Sequence, residues 1–323
     1  SIKRGDLRSP HVTFSFVAAN IQHLFRHKQT YCKSIFIIKF MTLTTLTSMK
    51  KILVPTDFSK EAENALKVAS DLCRKFKSCE IYLLHLLELP LHQVDAFSSH
   101  SDLPEAIFFM KIAHKKFEKL MSSEFLNNVK VHEIVRSDLE FGHIASTAKE
   151  LDIDMIVMGS HGTSGFQEMF VGSNAEKIVR SSEVPVLVIK NNHEKFEVSN
   201  LVFASDFQND NKKTYEQAIN FATIFNSRID LLMVNTASKF TTTKQALKKI
   251  NKFVENYNYP NQTINIYNDE SVEQGILNFS KDVNADLIGI STHGRQGIAH
   301  FFNGSISEDL VNHAKRPVIT FKI

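Results

Sequence analysis

Cysteine is scarce in this chain. Cys32, Cys73 and Cys79 are the three present, and their spacing matches no metal-ligand set. Cys73 falls on the apolar face of a helical pattern and reads as a packed thiol, which fits a reducing compartment. The 14 histidines form no H-E-x-x-H or comparable cluster and read as scattered surface residues. An excess of one charge is also missing. Thirty-eight Lys and Arg stand against 35 Asp and Glu, a net charge of +3. That small a balance does not favour nucleic acid as a partner. Long apolar runs are absent too. The candidate from Ser34 to Met41 is too short to span a bilayer and is interrupted by Lys39. No small-residue cleavage site follows it, so it does not read as a signal peptide. The expectation is a cytoplasmic globular chain with no membrane span, at 43% hydrophobic and 23% charged residues.

The first 48 residues differ in texture. Lys3, Arg4, Arg8, Arg26, Lys28, Lys33 and Lys39 face a single acid, Asp6, and the apolar positions lack a clear period. Residues 1–48 are expected to be a disordered or artefactual extension. A basic arm for a membrane surface or a partner is the alternative. The folded pattern begins at Met49, with Met41 as another candidate start.

What the chain does have is a glycine loop. An apolar run from Met155 to Met158 leads through Gly159, Gly162 and Gly165 to Gly172 and Ser173. A helical pattern follows, with Ala175, Ile178 and Val179 on one face. Strand, glycine loop and helix start together can cradle a phosphate. Glycine lets the backbone approach closely, and the unpaired amides and dipole of the helix N-terminus face the anion. A strand-to-helix turn that needs glycine for packing alone fits the same spacing.

The arrangement occurs twice. Asp154 to Gly162 matches Asp286 to Gly294 at an offset of 132, and the same offset relates Gly172 and Ser173 to Gly304 and Ser305. Upstream, Asp57 and Phe58 match Asp206 and Phe207 at an offset of 149, so the second copy is 17 residues shorter between these blocks. The shortfall is expected in a long loop around 89–104 of the first copy. Strands are expected at 51–55, 81–87, 129–135, 154–158 and 184–190, separated by helices after Ser59 and at 106–126, 141–151 and 173–182. Such alternation predicts an α/β fold: two tandem doubly wound, mostly parallel five-stranded sheets packed as an internal pseudo-dimer. The boundaries expected are 49–190, a polar linker at 191–199, and 200–323.

Ligands of open α/β sheets bind beyond the carboxyl ends of the strands, at the switch point. Pro55, Thr56 and Asp57 end the first strand, His85 and Leu86 the second, and Gly159 to Asn174 form the loop. Asp57 can accept hydrogen bonds from an adenine amino group or a ribose hydroxyl, or cap a local turn. His85 reads as a hydrogen-bonded structural histidine, as do His161 and His293.

The sequence Met158-Gly159-x-x-Gly162, nine further residues, then Gly172-Ser173, preceded by Val54-Pro55-Thr56-Asp57, resembles the ATP-binding signature of the universal stress protein family. The resemblance runs from Met49 to the C-terminus as a tandem pair. It implies a Rossmann-like fold akin to the adenine-nucleotide α-hydrolases and a regulatory role in stress response, with a further protein partner of unknown identity. Asp57, Leu86 and the backbone at Met158 would contact adenine or ribose. Gly159, Gly162, Gly172, Ser173 and Asn174 would hold ribose and phosphates, and Pro55 and Thr56 belong to the same set. The ligand implied is ATP, with AMP or ADP as alternatives, and Mg²⁺ held through the phosphates. Edge pairing of the last strands, at 184–190 and 317–323, is implied within the chain, and a further homodimer stays open.

The second copy departs from the pattern. Ser291 replaces the first glycine, Ala204 and Ser205 replace Pro and Thr, and Asn235 stands at the apolar wall. Asp206, Gly294, Gly304 and Ser305 are its remaining candidate ligands. No general base, arginine finger or Walker lysine is evident, so catalysis beyond a weak ATPase is not expected. A nucleotide-free interaction scaffold is the competing reading. An ATP-activating enzyme of related fold would carry a Ser-Gly-Gly-x-Asp-Ser loop after the first strand, where this chain has Pro55-Thr56-Asp57-Phe58-Ser59.

Overall fold

Strand β1 (Lys51–Pro55) is apolar at three consecutive positions, and the pleat sends them to opposite faces. Ile52 and Val54 enter one apolar layer and Leu53 the other. β4 (Met155–Gly159) does the same, with Met155 and Val157 on the first side and Ile156 and Met158 on the second. Unbroken apolar runs of this kind mark parallel strands covered on both faces. Helices α1 (Lys60–Cys73) and α2 (Asp102–Met121) supply Leu66, Ala69 and Phe117 to the first layer. Helices α3 (Gly142–Glu150) and α4 (Ser173–Ser181) supply Ile144, Ile178 and Val179 to the second. Phe117 is fully buried, and such a side chain contributes about 2–3 kcal/mol by burial.

The computed structural model describes residues 49–87, 102–136, 142–160, 173–208, 211–292, 310, 311 and 313–323. The 1–48 extension lies outside them. With β2 (Glu80–Leu86), β3 (Lys130–Arg136) and β5 (Val186–Ile189), the first half has the parallel order β3-β2-β1-β4-β5. β6 (Asn200–Ala204), α5 (Lys212–Phe225), β7 (Arg228–Asn235), α6 (Thr243–Val254), β8 (Gln262–Asn268), α7 (Val272–Asp282), β9 (Leu287–Thr292) and β10 (Val318–Lys322) repeat it. β10 pairs antiparallel with β5, with Val318 opposite Val188 and Thr320 opposite Val186. The two five-stranded halves thereby become one ten-stranded sheet. The doubly wound tandem fold and the joining of the last strands are as the sequence predicts.

Part of the repeated motif serves the opposite end of the sheet. Asp154 Oδ2 accepts from the amides of Lys50 and Lys51 at 2.7 and 2.9 Å. Its counterpart Asp286 accepts from Ser199 and Asn200 at 2.8 and 2.9 Å. Each carboxylate ties the entry of its half's first strand to the entry of its fourth.

Three expectations need correction. Helix α2 starts at Asp102 rather than 106, because Pro104 falls in its first turn, where a missing N–H costs nothing. It stops at Met121, where Ser122 Oγ donates to the Lys119 carbonyl at 2.7 Å and competes with the helix. A short 3₁₀ turn, Glu124–Leu126, takes the remainder. With 20 residues in α2 against 12 in α6, eight of the 17 extra residues sit in the helix rather than the loop; 89–101 lies outside the described residues. Cys73 is not a packed thiol but is bonded to Cys79. Helix α1 ends at Cys73 and the chain turns back into β2, leaving the two Cα atoms 5.0 Å apart.

Candidate functional site

β1 pairs with both β2 and β4, so a crevice opens beyond the carboxyl ends of these strands. The chain leaves β1 through a tight double turn. Thr56 Oγ1 accepts from the Phe58 amide at 3.0 Å, and Asp57 Oδ1 accepts from the Ser59 amide at 2.9 Å. Phe58 is left-handed at φ 64°, and Ser59 Oγ then caps α1 by accepting from Ala62 N at 3.2 Å, worth about 1 kcal/mol. The turn recurs in the second half. Ser205 Oγ accepts from Phe207 at 3.0 Å, Asp206 Oδ1 from Gln208 at 3.2 Å, and Phe207 has φ 55°. Both aspartates therefore organise their own turn, whatever else they bind.

His85 Nδ1 lies 2.8 Å from the Thr56 carbonyl. That acceptor requires the proton on Nδ1, which makes His85 the hydrogen-bonded histidine the sequence suggests. Phe58 covers its ring at 4.6 Å and packs edge-on to Phe117 at 5.0 Å, with Lys116 Nζ 5.2 Å from the Phe58 ring. Pro55, Asp57 and Leu86 are half-buried along this edge, while Thr56 and Met158 are buried.

Gly159 ends β4 against the start of α1. A Cβ there would lie 2.8 Å from the Glu61 carbonyl oxygen, so helix packing alone demands glycine. At the corresponding Ser291 the hydroxyl shares a 2.6 Å hydrogen bond with Thr214 of α5. Asn235, at the wall position, accepts from Thr241 N at 2.8 Å and donates to Asn268 Oδ1 at 3.0 Å. Its side-chain amide is thus spent on Thr241 of the loop after β7 and on Asn268 at the end of β8. Ser173 and Asn174 form the first turn of α4, so a helix N-terminus stands where the sequence puts one. Gly162, Gly165 and Gly172, together with Gly294, Gly304, Ser305, His161 and His293, lie outside the described residues.

The second half carries a cavity of about 350 Å³ at the equivalent edge, with Asp206, Leu232, Val234, Lys249, Val272 and Ile276 among its lining. Sequence reasoning missed its α6 and α7 walls, which no loop motif marks. A usable signal was present: positions 231–254 hold five lysines and no acid. Among the described residues no cluster of His, Cys, Asp or Glu is suited to a metal, and no helix is long and apolar enough to cross a membrane.

The model of the universal stress protein family matches residues 49–190 and again 197–322. The chain belongs to the universal stress protein family. Universal stress protein MJ0577 of Methanocaldococcus jannaschii is 30% identical over 154 residues, 44% of this chain and 94% of that protein. MJ0531 of the same organism is 28% identical over 167 residues, 49% of this chain and 96% of that protein. Among solved structures, a universal stress protein from Archaeoglobus fulgidus shares the fold with a TM-score of 0.61 at 20% identity, covering 85% of this chain and 97% of its own.

Proposed function

We propose that the first half binds one adenine nucleotide at the crevice beyond β1, β2 and β4, and that occupancy sets the choice of a protein partner in a stress response. The observation that supports this is that Asp57, Leu86 and Gly159 stand at the carboxyl ends of the adjacent strands β1, β2 and β4, with α4 starting at Ser173 as the next helix after β4. Asp57 and Leu86 would meet base and ribose. The amides at Ser173 and Asn174, with Gly162 and Gly172, would meet the phosphates, where the helix dipole favours negative charge. ATP is the preferred ligand, with Mg²⁺ on its phosphates; AMP and ADP fit the same base and ribose contacts. The chain acts as a cytoplasmic binding protein whose ATP hydrolysis is at most weak, a reading supported among the described residues by the half-buried His85, whose Nδ1 is engaged by the Thr56 carbonyl.

A nucleotide-free scaffold is the second reading, favoured by the internal duties of Asp57 and Gly159. Release of bound nucleotide from the purified full chain by denaturation, followed by chromatography, separates the two. Adenine nucleotide in the extract supports the binding reading. A chain that yields none and takes up none from millimolar ATP contradicts it.

A further inference from the structure

Exposed apolar surface is concentrated on one helix. Of the six large apolar side chains that stand in water among the described residues, four crowd into two turns of α2: Ile107, Phe108, Met110 and Ile112, from 38% to 59% exposed. The helix lies over β3, the outermost strand of the sheet, with Ala113 and Phe117 buried beneath it. A helix turns about 100° per residue, so the four side chains fan over more than half of its circumference. Protein grooves take the apolar anchors of a helix along one stripe, at i, i+3, i+4 and i+7. A fan of this kind suits a fluid surface that wraps around it.

The charge beside them is uncompensated. Lys111, Lys115 and Lys119 are exposed and repeat at i, i+4, which places them in one row. None of the three has an ion pair among the described residues; Lys116 sits over the Phe58 ring, and His114 stands 3.5 Å from Glu133. Glu118 is the one acid against four lysines from 107 to 121. The second half supplies a comparison. At an offset of 133, buried Ala113 and Phe117 match buried Ala246 and Ile250 of α6, and the row recurs as Lys244, Lys248 and Lys252. Ile107 is matched by exposed Phe240, but Phe108, Met110 and Ile112 do not recur: Thr241, Thr243 and Gln245 stand in their places. A lysine row alone is an ordinary solvated helix face. The apolar cluster is what the first half adds, and packing within the fold does not use it.

We propose that the outward face of α2 docks on an anionic lipid surface, with Ile107, Phe108, Met110 and Ile112 among the outer acyl carbons and Lys111, Lys115 and Lys119 on headgroup phosphates. Lysine stems lie along apolar surface and keep their ammonium groups at the polar boundary. Apolar burial and attraction to anionic lipid then act together, as they do for an amphipathic helix lying in the interface. The contact is peripheral, and it does not rest on the nucleotide reading of the first half.

The chain contains no tryptophan, so Phe108→Trp places a single indole in the patch. The test reads its emission, and co-sedimentation of the full chain, with vesicles of phosphatidylcholine alone or mixed with phosphatidylglycerol. Ile107→Ser/Phe108→Ser/Ile112→Ser and Lys111→Glu/Lys115→Glu/Lys119→Glu are compared with Lys244→Glu/Lys248→Glu/Lys252→Glu. All these positions are exposed, so the core is untouched, and circular dichroism checks that each variant is folded. The expected result is a blue shift of the indole and sedimentation with the mixed vesicles, and neither with phosphatidylcholine alone. Either α2 variant is expected to lose about tenfold or more in vesicle binding, and the α6 variant under about threefold, since charges away from the contact are screened. An unshifted indole, or no sedimentation with the mixed vesicles, would overturn the proposal and leave the face to an acidic protein surface. Equal losses in the α2 and α6 variants would also overturn it, as the mark of general charge attraction. So would binding indifferent to the α2 changes, which would move the contact to another segment such as the basic residues 1–48.

Discussion

Leu187 lies opposite Ile319 in the antiparallel ladder between β5 and β10, and the two are each other's counterparts at the 132-residue offset. The pseudo-twofold that relates the halves therefore passes between them. Val186 and Val188 face Thr320 and Val318 on either side, so the junction is self-complementary, as an isologous dimer interface is. Lys190 and Lys322 obey the same symmetry. Lys322 Nζ donates to the Val179 carbonyl in the last turn of α4, and Lys190 Nζ donates to the carbonyl of Val311, the counterpart of Val179. Each half thus places a lysine on a carbonyl of the other.

Burial pushes the Lys322 ammonium down to about 7 and that of Lys190 to about 8, from an ordinary value near 10.5. The unfolded chain binds more protons between these values, so stability rises with pH from about 7 towards 10.5 and falls as pH drops through 8 and 7. Each group adds a slope of at most about 1.4 kcal/mol per pH unit. Urea unfolding at pH 7, 8 and 9 is expected to show the rise, and Lys190→Met/Lys322→Met to flatten it. A pH-independent midpoint in the wild type would count against neutral buried amines. The window stops at 9, since burial raises Tyr215 and Tyr257 and ionisation of the unfolded tyrosines near 10 acts oppositely.

Gly159→Ala is expected to destabilise by about 1–3 kcal/mol, since its methyl would meet the Glu61 backbone rather than a movable side chain. Chemical denaturation measures this without any ligand. An unchanged midpoint would mean that α1 can retreat from β4.

The bond between Cys73 and Cys79 closes a short loop, six positions apart in sequence. Loop closure of that length is worth about 2 kcal/mol. Reduction, or Cys73→Ala/Cys79→Ala, is expected to lower stability by that order, with the larger share in the double variant because Cys73 is buried. Equal melting temperatures with and without reductant would show that the bond does not form in solution.

Asp57 separates structure from binding. Asp57→Asn keeps an oxygen for the Ser59 amide, so its stability is expected to stay within about 0.5 kcal/mol of wild type, whereas Asp57→Ala loses about 1 kcal/mol. Both are expected to weaken ATP about tenfold through loss of a charged acceptor. Binding retained by Asp57→Asn would confine this residue to its turn.

Much of this fold was legible because the repeats constrain each other. The two offsets located Asp57 with Asp206 and Gly172 with Gly304, and the apolar runs at 51–55 and 154–158 marked strands buried on both faces. What stayed hidden depends on the third dimension. Nothing local in Phe58 or Phe207 announces a left-handed residue; the hydrogen bonds of Thr56 and Ser205 impose it. The helical spacing that puts Cys73 on an apolar face masked its approach to Cys79 beyond the end of α1. The aliphatic wall at Val272 and Ile276 emerges once α7 packs beside β7.

Calorimetric titration of the full chain with ATP and Mg²⁺, beside Gly172→Val, tests the central claim most directly. One site in the wild type, lost in Gly172→Val, is the result expected for a nucleotide held in the first half. No binding by the wild type, or binding indifferent to Gly172→Val, would contradict it.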